Sequence, residues 1–423
     1  MKESHDPYSA LRFPSFLRYL VASSIVRMGT AAQGLAIGWE VYERTSQALA
    51  LGMVGLVQAI PMLLFTLPAG YLADVFDRRK LMMLSLAGAT LTSLGLAAFS
   101  WYRLDVVWMY LLLFLDATLL RLGSPAQRAI TPLLVPDKHF ENAAKWSTSV
   151  FQITSILGPA LGGMIIALNI QAAYILSAFS SAAFIAFLST MSLPPAPRIA
   201  RGDMYVQIAA GVRYVRDHKL LLGAISLDLF AVLLGGAVYL LPIFAKEIID
   251  LDPTGLGPMQ ALGWLRAAPA VGACATALLV AHLPPIQRAG KTLLCCVAGF
   301  GAATIVFGLS ENFWLSMVML GLTGAFDNVS MVIRRVISQM SVPNEMRGRV
   351  QAVTAIFVGS SNEIGGFESG LVAQIFTPVI SVVSGGIGTL VVIAAWTGLF
   401  PSLRRLGSLS SLTTGSPKPR GSG

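Results

Sequence analysis

The chain has 423 residues, of which only 12% are Asp, Glu, Lys or Arg and 55% are hydrophobic. Soluble domains carry roughly 25% charged residues, and a soluble chain of this size has no core large enough for so much apolar surface. The composition therefore excludes an ordinary soluble enzyme, a disordered protein and a disulfide scaffold, and points to a chain that crosses a membrane many times. Mean hydropathy is +0.70. The net charge of +9 would suggest nucleic acid in a soluble protein, but in a membrane protein basic residues mark the loops. Cys274, Cys295 and Cys296 lie in apolar runs without metal-ligand spacing and read as free thiols. The first 15 residues are polar and include Asp6, Pro7 and Pro14, which does not match a cleavable signal.

A spanning helix needs about 20 apolar residues. Twelve such runs are predicted. Six lie near 16–39, 48–72, 81–101, 106–126, 145–168 and 171–193. Six more lie near 220–245, 259–281, 291–310, 313–334, 350–376 and 379–400. The expected division is a first bundle over 1–193, a cytoplasmic linker over 194–219, a second bundle over 220–400 and a disordered tail over 401–423. The linker opens with Pro194, Pro195 and Pro197, which cannot continue a helix. Its later part, Tyr205 to His218, reads as an amphipathic helix with Arg213 and Arg216 on the polar side.

With the N-terminus placed inside, 25 of the 30 Lys and Arg residues fall in inside segments, and only Arg44, Arg103 and Lys246 fall outside. Arg27 and Arg266 lie within spans. This asymmetry predicts a multi-pass membrane protein with both termini cytoplasmic.

The halves repeat. The segment Arg128–Pro136 matches Arg335–Pro343 at an offset of 207, and Gly158–Gly163 matches Gly365–Gly370 at the same offset. Duplicated halves are a mark of transporters. The loop after span two reads Gly70-Tyr-Leu-Ala-Asp74-Val-Phe-Asp77-Arg78-Arg79-Lys80. Gly70 would allow a close helix approach, and Asp74 can accept hydrogen bonds at a neighbouring helix start. Span five carries Gly158, Pro159, Gly162 and Gly163, small residues for tight packing and a proline for a kink.

These motifs resemble the major facilitator superfamily. The loop is similar to its hallmark Gly-x-Leu-Ala-Asp-Arg-x-Gly-Arg-Arg, with Val75 and Asp77 as departures. The span-five motif resembles the Gly-Pro-x-x-Gly-Gly core of proton-coupled antiporters. Gly324 to Arg334, Val342 to Val350, Ser361 to Gly370, Ala36 to Tyr42 and Leu265 to Gly272 look like the enterobactin-exporter type. Gly366 stands where that group commonly has another Glu. The resemblance covers about 1–405. It implies an all-α fold of twelve transmembrane helices in two six-helix pseudo-symmetric bundles. It also implies proton-driven export of a small siderophore-like or drug-like molecule by alternating access.

Charges inside spans are costly, about 2.5–3.5 kcal/mol each on insertion scales. Glu363, Asp327, Glu368, Asp228 and Asp116 are therefore the candidate proton-coupling groups, with Glu363 the first choice. Arg27, Gln33, Trp39, Glu40, Arg266, Asn328 and Asn362 are candidates to line a substrate cavity. Gly70, Asp74, Asp77, Arg78, Arg79, Arg128, Arg334, Arg335, Arg347 and Arg349 are candidates for a cytoplasmic gate. Asp327 and Arg334 share a helix face about 10 Å apart along the axis, a separation that suggests no mutual hydrogen bond. Trp39, Trp101, Trp108, Trp314 and Trp396 read as interfacial belt residues. No metal site, no cofactor beyond a proton gradient, no nucleic-acid partner and no enzymatic constellation is predicted. The expected partners are the bilayer and a small substrate, anionic or amphipathic, with the chain acting as a monomer. Uptake, or flipping of a lipid or lysolipid, is the alternative within transport. A non-transporting sensor is disfavoured because no segment is long enough for a soluble output domain.

Overall fold

The computed structural model describes residues 6–191, 204–284 and 286–407, with the backbone only at Leu67, Asp74, Asn344, Glu345 and residues 204–208. The proline-rich start of the linker, most of the tail and the Asp74 side chain lie outside the described residues. The described chain is helical throughout its length. The first six helices are α1 Pro14–Thr45, α2 Ala48–Val75, α3 Arg78–Tyr102, α4 Val106–Ile130, α5 Phe140–Leu168 and α6 Ile170–Ser189. The linker helix α7, Met204–Asp217, leads into α8, Lys219–Leu234. The rest comprises α9 Leu241–Ile243, α10 Pro258–His282, α11 Ala289–Leu309, α12 Phe313–Ser341, α13 Asn344–Ile375 and α14 Pro378–Leu399.

Among the described residues, eleven segments are long and apolar enough to cross a membrane. The twelfth predicted span is α13, a helix of 32 residues that carries Arg347, Arg349, Glu363 and Glu368. Its polar content keeps it out of the apolar set, although it is long enough to span. Five of the helices begin on side-chain caps. Asp77 accepts from the Lys80 amide at 2.9 Å and starts α3, while Asp105, Asn169, Asn312 and Thr377 do the same for α4, α6, α12 and α14.

The seventh span is broken. α8 stops at Leu234, Gly235 caps it, and a 3-10 turn runs over Gly236–Leu240. α9 and a π turn over Phe244–Ile248 complete it. The Gly235-Gly236 pair marks the break in the sequence, and Pro242 removes a further amide donor.

Packing sorts the chain into two units. Unit 1 holds α1–α6 with Leu241–Ala267, and unit 2 holds α7, α8 through Leu240, and Ala268 onward. The internal repeat is legible in the helix pairs. α1 packs on α5 and α6, and α3 on α4 and α6; in the second half α8 packs on α13 and α14, and α11 on α12 and α14.

The matched glycine motifs make equivalent contacts. A Cβ on Gly158 would come within 2.9 Å of Ala31, and one on Gly162 within 2.9 Å of the Ala32 backbone, both on α1. A Cβ on Gly365 would come within 2.6 Å of the Leu233 carbonyl on α8. Small residues let backbones approach where lipid offers no hydrophobic drive between helices. Gly70 does not serve in this way. Among the described residues nothing lies within 4 Å of where its Cβ would stand, so the close approach read from the sequence is absent there.

The linker helix is amphipathic. Val215 is buried with Leu221, Ile225, Val350 and Val353, and Arg213 and Arg216 are exposed. Tyr214 anchors it by donating to the Ser341 carbonyl at 2.9 Å.

Replacing Gly236 by Leu would drive a side chain into the Gly365 carbonyl and the Ser369 hydroxyl. Gly236→Leu is expected to cost about 1–3 kcal/mol, the range for overpacking. Thermal unfolding of detergent-purified protein will show a lowered Tm. Gly34→Ala, with nothing within 4 Å, will leave it unchanged or raised.

Candidate functional site

The densest ionic cluster in unit 2 joins α8 and α12. Asp228 is 3% exposed, one helical turn and a half before the break in span seven. Arg334 pairs with Asp228 through Nη1, and its Nη2 stands 3.4 Å from Asp327 Oδ1. The spacing argument against an Asp327–Arg334 contact therefore fails. Helical side chains tilt toward the N-terminus, so the long Arg334 stem reaches back along α12 toward Asp327. One guanidinium thereby serves two carboxylates, one buried and one 41% exposed at its side chain. Arg334 belongs to this cluster and not to a gate at the start of α13.

The cluster borders a small, partly open cleft with room for about one water molecule. Phe300, Phe326, Val232 and Cys296 supply its apolar wall, and Ser330 adds a hydroxyl.

Glu363 stands on α13 and accepts a hydrogen bond from the Tyr239 hydroxyl in the 3-10 turn of span seven. The coupling candidate is thus tied to the broken helix. Glu368, one turn and a half further on, is half-buried beside Ser369, whose hydroxyl donates at 3.4 Å. Asn362 is exposed and bonds its own helix at Val358, and Asn328 donates to Thr276 on α10 at 3.4 Å.

Three cavity candidates of α1 prove to be interior to unit 1. Gln33, Trp39 and Glu40 are each under 5% exposed. Gln33 bonds Ser93 at 2.6 Å and lies 3.4 Å from Asp116, which in turn is 2.7 Å from Thr92. Glu40 pairs with Arg44 and accepts from Tyr174 at 2.7 Å. Trp39 donates to Glu43 at 3.1 Å and lies under Lys246. The face of α1 that carries Gln33 and Glu40 meets α3, α4 and α6, so these two polar residues bond their neighbours rather than a ligand. Trp39 and Trp396 are also not belt residues: the first is buried, and the second donates to Ser226 at 3.2 Å. Trp101, Trp108 and Trp314 are exposed.

Arg27 is exposed in mid-helix, with its guanidinium 5.1 Å from the Phe151 ring centroid. Arg266 is exposed as well. In the loop after α2, Asp77 is spent as the α3 cap, and Arg79 donates to the Ser189 carbonyl at the end of α6. Arg347 donates to the Gln339 carbonyl at 3.1 Å, tying α13 to the end of α12, while Arg349 reaches the sulfur of Met346 at 3.4 Å. Arg128 and Arg335 are exposed. Gly158, Pro159, Gly162 and Gly163 are buried in unit 1, and Gly163 also packs against Gly263.

Sequence reasoning missed Tyr239, Tyr174, Thr92, Ser93 and Ser177. Each is uncharged, so a search for charges in spans passes over it. Polar residues one turn from an intramembrane acid, or opposite it in the repeat, were the available signal.

A family model described as transmembrane secretion effector matches residues 5–416. The chain belongs to that family, within the major facilitator superfamily. The enterobactin exporter EntS of Escherichia coli O1:K1 is 25% identical over 382 residues, 90% of each chain. Its counterpart in Shigella boydii serotype 18 is 26% identical over 386 residues, again 90% of each. Among solved structures, the nucleoside transporter NupG superposes with TM-score 0.72 at 13% identity, covering 91% of this chain and 99% of its own. A bacterial homolog of the human lysosomal transporter Spinster gives TM-score 0.68 at 13% identity, covering 96% and 99%. The fold is therefore that of the major facilitators, and the chain is a multi-pass membrane transporter.

Arg334→Met would leave Asp228 buried without its cation, a loss of about 3–5 kcal/mol. The double variant Arg334→Met/Asp228→Leu removes both charges and is expected to recover most of that stability. Thermal unfolding of the two single and the double variants measures the coupling.

Proposed function

We propose that this transporter exports a small siderophore-like or drug-like molecule from the bacterial cytoplasm across the inner membrane, driven by protons. The observation that carries the reading is the Asp228–Arg334–Asp327 cluster at the broken seventh span, lining a cleft. Two acids share one guanidinium. Protonation of one frees Arg334 to favour the other or an anionic cargo, and so links proton uptake to rearrangement around a helix break. Glu363 on α13 adds a third acid, bonded to Tyr239 in the same break. The family's description as secretion effectors and the exporter relatives favour outward transport. The loop-charge asymmetry favours both termini on the cytoplasmic side.

Arg27 supports an anionic or aromatic cargo. It forms no ion pair with a carboxylate among the described residues, is exposed in mid-span, and stacks on Phe151. A guanidinium flanked by an aromatic ring suits planar, electron-rich anions. No cofactor is invoked, because the proton gradient supplies the work, and a single chain suffices for the mechanism.

Inside-out vesicles with enterobactin as the probe give the test. The wild type is expected to accumulate it when the vesicle interior is acidified and to lose it on adding an uncoupler. Asp228→Asn and Glu363→Gln should abolish gradient-driven accumulation while retaining counterflow without a gradient. Accumulation that ignores the pH gradient, or full activity in both variants, would refute proton coupling. Arg27→Ala is expected to raise the KM for this anion by about 10- to 100-fold, the worth of one lost charge-assisted hydrogen bond, with little change for a cationic dye.

A further inference from the structure

The interior of unit 1 holds a buried carboxyl that the Asp228 cluster does not use. Asp116 of α4 is 6% exposed and forms no ion pair among the described residues. Thr92 Oγ1 stands 2.7 Å from Asp116 Oδ1 and 3.0 Å from the Ala89 carbonyl. A threonine hydroxyl has a single proton. When it donates to Ala89, the short contact to Asp116 requires the carboxyl to be the donor. The other oxygen, Oδ2, has only the Gln33 amide at 3.4 Å. An unpaired carboxylate with so few donors is costly in a low-dielectric interior, and a neutral acid fits the same geometry.

The polar residues continue from Asp116 toward the end where α1 meets α2. Gln33 Oε1 accepts from Ser93 at 2.6 Å, and Ser93 lies 3.4 Å from the Ser177 hydroxyl. One turn along α6, Tyr174 donates to Glu40 at 2.7 Å. Glu40 pairs with Arg44, whose guanidinium also donates to the Leu104 carbonyl at 2.7 Å and the Ser100 carbonyl at 3.2 Å. The step from Ser177 to Tyr174 is the one without a direct hydrogen bond.

The helices around Asp116 bring few other titratable groups. Between Ala48 and Gly70, α2 has none, and between Leu81 and Ser100, α3 has none. Tyr174 is the sole one on α6. On α1, Glu40 and Arg44 join the file, while Tyr19 bonds the Gln127 carbonyl, Arg27 stacks on Phe151, Tyr42 bonds Glu247 and Glu43 bonds Trp39. On α4 itself, Tyr110 bonds the Ala50 carbonyl, and Arg121 and Arg128 lie toward the other end.

From this arrangement we infer that Asp116 is a proton-binding site of the first unit, reached along a file of polar side chains inside the bundle that is hydrogen-bonded except between Ser177 and Tyr174. Protons enter at the Arg44 end, which the loop charges place outside. The site is separate from the Asp228 cluster, and its existence does not depend on that cluster coupling transport.

Infrared spectroscopy of purified protein in lipid tests this without a substrate, because protonated and ionised carboxyls absorb apart. The wild type minus Asp116→Asn is expected to show one protonated-carboxyl band at neutral pH. Thr92→Val should shift that band without removing it. Glu40→Gln and Tyr174→Phe should slow its exchange in heavy water by about tenfold, as one disrupted hydrogen bond would. If no such band appears, Asp116 is ionised and the site is refuted. If exchange is unchanged in both file variants, the route is refuted. Should Asp116→Asn fail to fold, the Thr92→Val shift makes the assignment.

Discussion

Burying charge in an apolar interior is the constraint on which this structure turns. A lone ionised group there costs several kcal/mol, so each must be paired, neutralised or led to water. The two units meet this demand differently. In unit 2 Arg334 serves both Asp228 and Asp327. In unit 1 Asp116 has no cation and is held by hydroxyls and a carboxamide. The first arrangement is a charge cluster built on one guanidinium. The second is a hydrogen-bonded network that ties α1, α3 and α4 together.

Close packing makes these arrangements possible. The duplicated glycines bring α5 onto α1 and α13 onto α8 at backbone distance. Tight approach in α13 sets Glu363 against Tyr239 in the 3-10 turn. The seventh span is broken about one turn and a half after Asp228, where the chain gives up regular helical hydrogen bonds. Broken helices in transporters are tolerated where they border a cavity, and here the cleft is lined by Asp228, Ala231 and Val232 on the last turns of α8 before the break.

The tested expectations divide by physical type. Element existence followed from apolar length, and α13, the most polar span, was legible because its charges lie at wide spacing on a long run. Pairings across the interior were not legible. Asp327 and Arg334 looked too distant because the reasoning used Cα rise and omitted the reach and tilt of arginine. Gln33, Trp39 and Glu40 read as cavity residues from their place in α1, yet Gln33 bonds α3, Glu40 bonds α6, and Trp39 bonds Glu43 and lies under Lys246. A helical wheel gives a common face but not the neighbour that face meets. Gly70 was read as a close-approach glycine from its motif, but no described neighbour comes near it.

The sequence by itself determined the class, the number of long helices, the internal repeat and the short set of acids and arginines placed in the membrane. It could do so because hydropathy, charge bias and repeat register are properties of the chain read in one dimension. Only the tertiary structure decided which of those groups meet. It joined Asp228 to Arg334, Glu363 to Tyr239 and Asp116 to Thr92, pairs separated by 106, 124 and 24 positions. Such pairings depend on helix rotation and on glycine-permitted distances of approach, which no local pattern in the sequence encodes.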